Sequence, residues 1–245
     1  MRFTTLFFDL DDTLYPSTTG LWPAIKGRMN LYMIERLGIP EADVPFLREQ
    51  YFKMYGTTLR GLQERHNVDK EDFLAFVHDL PLKEYLTPNP ILRDVLASLS
   101  TRNLIFTNAD VPHARRVLAA LQLDDFFDTI VDVNAVAPYC KPMPESFAIA
   151  MDLADEPDPR KCVMIDDLPR TTRAASTWAW QACYMAVLNQ PRMPADPLPI
   201  GLTCLFFWEI KAFKNKPYEG SLEKYMIVDS ILRKAHPVEI RDGIK

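Results

Sequence analysis

The chain has 245 residues, 48% apolar and 25% charged, with a formal net charge of −5. This is an ordinary globular composition, long enough to bury a sizeable core in one or two domains. The acidic balance argues against a nucleic-acid polymer or an anionic membrane as partner. No run reaches the roughly 18 apolar residues of a membrane span. The first apolar run is broken at Asp9, so no signal peptide is expected. The four cysteines, Cys140, Cys162, Cys183 and Cys204, form no Cys-x-x-Cys pair. Neither a zinc site nor a disulfide framework is indicated, and Cys162 and Cys183, in apolar runs, read as buried thiols of a reducing, cytoplasmic protein.

In chain order, Phe3 to Phe8 is short, aromatic and apolar, and reads as a buried strand. It ends in Asp9, Asp11 and Asp12, followed by Thr13. Carboxylates crowded at the end of a buried strand need compensation, and a hard divalent cation with oxygen ligands supplies it. Leu21 to Leu37 shows helical spacing and stops at Gly38. Pro40 to Tyr55 predicts a second helix, with Val44, Leu47, Tyr51 and Met54 on its inner side. Thr57 or Thr58 caps a short third helix through Leu62, and Asp69 with Asp72 marks a cap before Phe73. Residues of about 16 to 87 thus read as all-helical, too long for a simple strand-to-helix loop and best taken as an inserted helical cap.

An alternating pattern then begins. Asn89-Pro90 starts a helix to about Leu99, and Asn103 to Thr107 is a strand. Asp110 caps a helix carrying Val111, Ala114, Val117, Leu118 and Leu121. Strands follow at Thr129–Val133, Lys161–Ile165 and Gln181–Val187, with helices at Pro144–Leu153 and Thr171–Trp178. Strands alternating with helices predict a doubly wound parallel α/β sheet. Beyond Asn189, Leu202 to Ile210 is strand or helix and Tyr225 to Leu232 an amphipathic helix. The expected organisation is a core of residues 1–15 and 88–190, a helical cap of 16–87, and a C-terminal extension of 191–245.

In such a sheet ligands bind outside the carboxyl ends of the strands. Asp9 and Asp11, Thr107-Asn108 and Asp166-Asp167 fall at three predicted strand ends, and Lys141 lies just before a helix. Phosphomonoester hydrolysis needs this set of groups. A carboxylate attacks phosphorus, and a second serves as proton donor and then acceptor. Mg²⁺ screens the anionic partners, and a hydroxyl and an ammonium grip the phosphoryl oxygens.

The order Asp9-x-Asp11-x-Thr13, Thr107, Lys141, Asp166-Asp167 resembles the four motifs of the haloacid dehalogenase (HAD) superfamily, across about residues 1 to 190. The resemblance implies a HAD-like core with Asp9 as nucleophile and Asp11 as general acid/base. Thr107, Asn108 and Lys141 would bind phosphate, and Asp9, Asp11 (through its backbone carbonyl), Asp166 and Asp167 would hold Mg²⁺. Asp at position 11 favours a phosphatase over a dehalogenase. Tyr55-Gly56-Thr57-Thr58-Leu59, Asp72 to His78 and Thr107-Asn108-Ala109-Asp110 with His113 to Leu118 resemble the pyrimidine 5′-nucleotidase branch. That implies UMP- and CMP-type nucleoside monophosphates as substrates. The alternatives are a phosphatase for a sugar phosphate or phosphoglycolate, or a HAD-like binding protein without catalysis. Tyr15, Tyr55, Arg60 and His66 are candidates to touch the leaving group, although each alone reads more readily as packing or surface. Arg115-Arg116 reads as a solvated helix face, and Trp178 and Trp180 as core. The chain departs from the branch in lacking glycine over Thr171 to Trp178 and in its long C-terminal segment.

Overall fold

The computed structural model describes residues 3–184. Five parallel strands stand in the order β3-β2-β1-β4-β5: β1 Thr5–Phe8, β2 Arg102–Phe106, β3 Thr129–Val131, β4 Cys162–Asp166 and β5 Gln181–Tyr184. Four helices accompany the sheet: α6 Pro90–Ala97, α7 Val111–Leu121, α8 Pro144–Leu153 and α9 Pro169–Thr177. Side chains alternate across each strand, so Leu6 and Phe8 join Leu92, Leu96, Val117 and Leu118 of α6 and α7. Phe7 turns to the other face and joins Phe147 and Ala150 of α8 and Ala175 of α9. Helices therefore cover both faces, as the alternating pattern predicts, and β1 lies buried at the centre. Chain order reverses about β1, which places the topological switch point at its carboxyl end.

Between β1 and α6 the chain forms α1 Leu21–Glu35, α2 Val44–Tyr55, α3 Thr58–His66, α4 Lys70–His78 and α5 Leu82–Tyr85. These helices bury their own apolar cluster, with Tyr32, Met33, Val44, Tyr51, Leu62, Phe73 and Val77. Two caps are as the sequence indicates. Thr57 Oγ1 accepts from the Arg60 N–H, and Asp69 Oδ1 accepts from the Asp72 N–H. α2 and α3 pack closely enough that a Cβ on Gly61 would lie 2.3 Å from the Tyr51 Cβ.

Several bounds differ from expectation for local reasons. β1 starts at Thr5 instead of Phe3. α2 starts at Val44, where Pro45 occupies the first turn; Pro lacks an N–H and suits that position. α9 likewise starts at Pro169 instead of Thr171. Met54 is 59% exposed, because the last turn of α2 directs Phe52 and the Gly56 carbonyl toward Arg170 instead. Arg116 is not simply a solvated side chain, since it donates to the His78 and Leu80 carbonyls at 2.8 and 2.6 Å. Trp180 is core, stacked on Phe7. Cys140 and Cys162 are buried free thiols. Among the described residues no helix is long and apolar enough to cross a membrane. The segments at Leu202–Ile210 and Tyr225–Leu232, and the whole of 191–245, lie outside the described residues.

Candidate functional site

The carboxyl ends of β1, β2 and β4 meet because the strands are parallel neighbours, with Phe8 level with Ile105 on one side and Ile165 on the other. The next residue, Asp9, continues the ladder by donating its N–H to the Ile165 carbonyl at 2.8 Å. The chain then turns through Asp12 at φ +59°, a left-handed conformation that Asp tolerates better than most side chains. This turn brings the Thr13 hydroxyl back to donate to Asp9 Oδ2 at 3.3 Å and to accept from the Asp167 N–H at 3.1 Å. Thr13 thereby ties the first acidic turn to the second.

Lys141 arrives from the loop after β3 and is 3% exposed. Its ammonium donates to Asp9 Oδ1 at 2.6 Å and to Asp166 Oδ2 at 2.8 Å. A buried ammonium is tolerable when carboxylates pair it. The loop is held by Asn108, whose side-chain oxygen accepts from the Lys141 N–H at 2.8 Å and whose amide donates to the Lys141 carbonyl at 3.0 Å. Thr107 is buried at the end of β2, and its hydroxyl accepts from the Ala109 N–H. Accepting there leaves the hydroxyl proton available to an incoming oxygen.

Asp9, Asp166 and Asp167 each offer an oxygen, and these atoms lie within 4.8 Å of one another. Burial pushes Asp9 up to about 7, with Asp166 adding to the rise and the Lys141 ammonium opposing it. Burial, then the neighbouring Asp166 and Asp9, hold Asp167 well above the usual carboxylate range. Three crowded carboxyl groups thus share one ammonium. This oxygen-rich, under-compensated set fits a hard divalent cation such as Mg²⁺. Asp11's side chain stands outside the cluster. Burial would raise its affinity for a proton, but the neighbouring His113 imidazole and its hydrogen bond, with that of Tyr15, hold it below the usual range.

The structure therefore brings Asp9, Lys141, Asp166 and Asp167 together directly, with Asn108 and Thr107 beside them. The candidates for the leaving group are otherwise engaged. Arg60 donates to the Pro138 carbonyl and to the Met143 sulfur, and Arg65 donates to the Tyr55 hydroxyl at 2.7 Å. His66 pairs with the Tyr51 hydroxyl at 2.9 Å. Tyr15 donates to Asp11 Oδ1 at 2.5 Å. The sequence gives no sign of a site role for His113 or His78, yet they stack on one another beside Asp11, with ring centroids 4.0 Å apart. The only local signal was a histidine three residues past the Asp110 cap.

Residues 3–176 match the model of a family described as haloacid dehalogenase-like hydrolases. Over 158 residues the chain is 31% identical to "Phosphate metabolism protein 8" of Saccharomyces cerevisiae, which covers 59% of this chain. The chain spans about half (49%) of the yeast protein's length. It is 25% identical over 167 residues to "Pyrophosphatase PpaX" of Bacillus cereus, covering 68% of this chain and 76% of that one. Among solved structures, the magnesium-bound HAD-hydrolase YfnB of Bacillus subtilis superposes with a TM-score of 0.52 at 17% identity, over 79% of this chain and 91% of that one. The β-phosphoglucomutase of Clostridium difficile gives 0.51 at 17%, over 76% and 86%. At these identities the structures testify to the fold.

Proposed function

The chain belongs to the haloacid dehalogenase-like hydrolase family, and we propose that it is a Mg²⁺-dependent phosphomonoesterase acting through a phosphoryl-aspartate on Asp9, with UMP- and CMP-type nucleoside monophosphates as substrates. The observation that carries the reading is the Lys141 ammonium set between Asp9 and Asp166 at 2.6 and 2.8 Å, with Asp167 beside them.

In the proposed reaction an Asp9 carboxylate oxygen attacks phosphorus and the bond to the ester oxygen breaks. Asp11 gives its proton to that departing oxygen. Water then attacks the phosphoryl group, Asp11 takes the water's proton, and phosphate leaves with Asp9 restored. Asp11 starts with a low proton affinity, and the approach of a phosphate dianion raises it, since like charge disfavours the ionised form. Lys141 and the Thr107 hydroxyl neutralise charge spreading on the phosphoryl oxygens, and Asn108 sets the lysine's backbone. Asp9, Asp166, Asp167 and the Asp11 backbone carbonyl would hold the magnesium, whose positive charge would let an anionic nucleophile meet an anionic ester.

The helices of residues 16–87 serve in this reading as a cap over the strand ends. The test is phosphate release from UMP, CMP, a sugar phosphate and phosphoglycolate, each with Mg²⁺ and with chelator. The reading expects chelator-sensitive turnover led by the pyrimidine nucleotides. Preference for another ester would overturn the substrate, and no turnover on any ester would overturn the enzyme.

A further inference from the structure

Asp11 is gripped on one oxygen only. The Tyr15 hydroxyl donates to Oδ1 at 2.5 Å, and His113 Nε2 sits 2.9 Å from the same atom. Among the described residues no hydrogen bond ends on Oδ2. The grip is rigid. The His113 side chain is fully buried, and its ring stacks on that of His78 at 4.0 Å with 17° between the planes. His78 Nδ1 lies 3.0 Å from Asp110 Oδ1, and the same oxygen accepts from the His113 N–H at 3.2 Å, capping α7. One carboxylate thus holds the His78 imidazole and the His113 backbone.

The tautomer follows from the partners. Among the described residues His113 Nδ1 is buried with no partner, so a proton there would gain no acceptor and would leave the Nε2 lone pair against a carboxylate oxygen. His113 Nε2 faces a carboxylate oxygen and therefore carries the proton. Both neighbours of Oδ1 are then donors.

We propose that Tyr15 and His113 are positioning residues that lock the Asp11 carboxyl with Oδ1 as double acceptor, so that the proton exchanged with the ester oxygen and with water travels on Oδ2. An O–H on Oδ1 would meet the His113 N–H donor and turn the Tyr15 hydroxyl from donor to acceptor, whereas an O–H on Oδ2 keeps both bonds. The proton's place is thus fixed before the substrate arrives, which favours transfer in a single geometry. This rests on the reading of Asp11 as the general acid/base. Because His78 ends α4 and His113 lies in α7, it also ties the acid's orientation to the seat of the helical layer on the core.

The test is kcat/KM with Mg²⁺ for a nucleoside monophosphate, whose alkoxide needs a proton to leave, and for p-nitrophenyl phosphate, whose phenolate does not. His113→Leu and Tyr15→Phe are expected to lose about 10–100-fold on the alkyl ester, part of the 10²–10⁴ that general acid catalysis supplies, and only a few-fold on the aryl ester. His113→Gln, which keeps a donor, should recover part of the alkyl-ester loss. Tyr15→Phe removes a single hydroxyl and carries the test if His113→Leu fails to fold. Equal losses on both esters, or no loss in either variant, would overturn the proposal. Asp11→Asn separates the two ideas: if it too loses equally on both esters, the role of Asp11 fails first.

Discussion

Gly56 offers a perturbation whose cost can be worked from the coordinates. It follows α2 at φ +88°, a conformation that L side chains rarely adopt. A Cβ there would lie 2.8 Å from Cys140 Sγ and 3.4 Å from the Lys141 carbonyl oxygen. Left-handed backbone costs a non-glycine residue roughly 1–2 kcal/mol. Overpacking a closed contact costs roughly 1–3 kcal/mol more. Gly56→Ala should therefore destabilise the protein by about 2–5 kcal/mol, which for a chain of this size is roughly 4–20 °C in Tm. It should also lower kcat, because the displaced Cys140-Lys141 backbone carries the ammonium that sits 2.6 Å from Asp9. A double-mutant cycle with Cys140→Ala, read by thermal unfolding, isolates the steric part: removing the sulfur should return about 1–3 kcal/mol and leave the backbone cost in place. A Gly56→Ala protein that melts with the parent, or a cycle with no coupling, would refute the close approach.

Lys141→Met leaves Asp9, Asp166 and Asp167 without their shared ammonium, and breaking a buried pair in this way costs about 3–5 kcal/mol. Urea unfolding in chelator should show that deficit at alkaline pH and a smaller one in acid, where the carboxyl groups take up protons; parental stability at pH above about 8 would contradict it. The parent protein has its own pH signature. Asp9 is raised from 3.8 to about 7, so between those values the native state keeps a proton that the unfolded chain has released. Stability without divalent cation should fall as pH rises through that window, and Mg²⁺ should raise Tm more at about pH 8 than at about pH 5. A magnesium increment independent of pH would contradict the crowding of the three acids.

The sheet was legible because β1, β2 and β4 are short apolar runs between turn residues, and a parallel sheet must bring their carboxyl ends to one edge. That rule alone gathers Asp9, Thr107 and Asp166. The caps at Thr57, Asp69, Asn89 and Asp110 were legible because each side chain bonds an N–H two or three residues on. What the sequence hides depends on contacts between elements. Nothing around Lys141 indicates burial, since its partners are 132 and 25 residues away. Met54 has the right spacing to be buried, but Arg170 on α9 claims the end of α2. His78 and His113 lie on separate helices, 35 residues apart in the chain, and only the packing of those helices stacks them beside Asp11.

The central claim is that Asp9 accepts a phosphoryl group beside a Mg²⁺ held by Asp166 and Asp167. Rapid acid quench of the enzyme turning over a ³²P-labelled nucleoside monophosphate, followed by peptide mapping, tests it most directly. The account predicts a hydroxylamine-labile label on the peptide containing Asp9, absent from Asp9→Asn and absent when chelator is present. Steady release of labelled phosphate with no label on the protein, or turnover by Asp9→Asn at the parental rate, would contradict it.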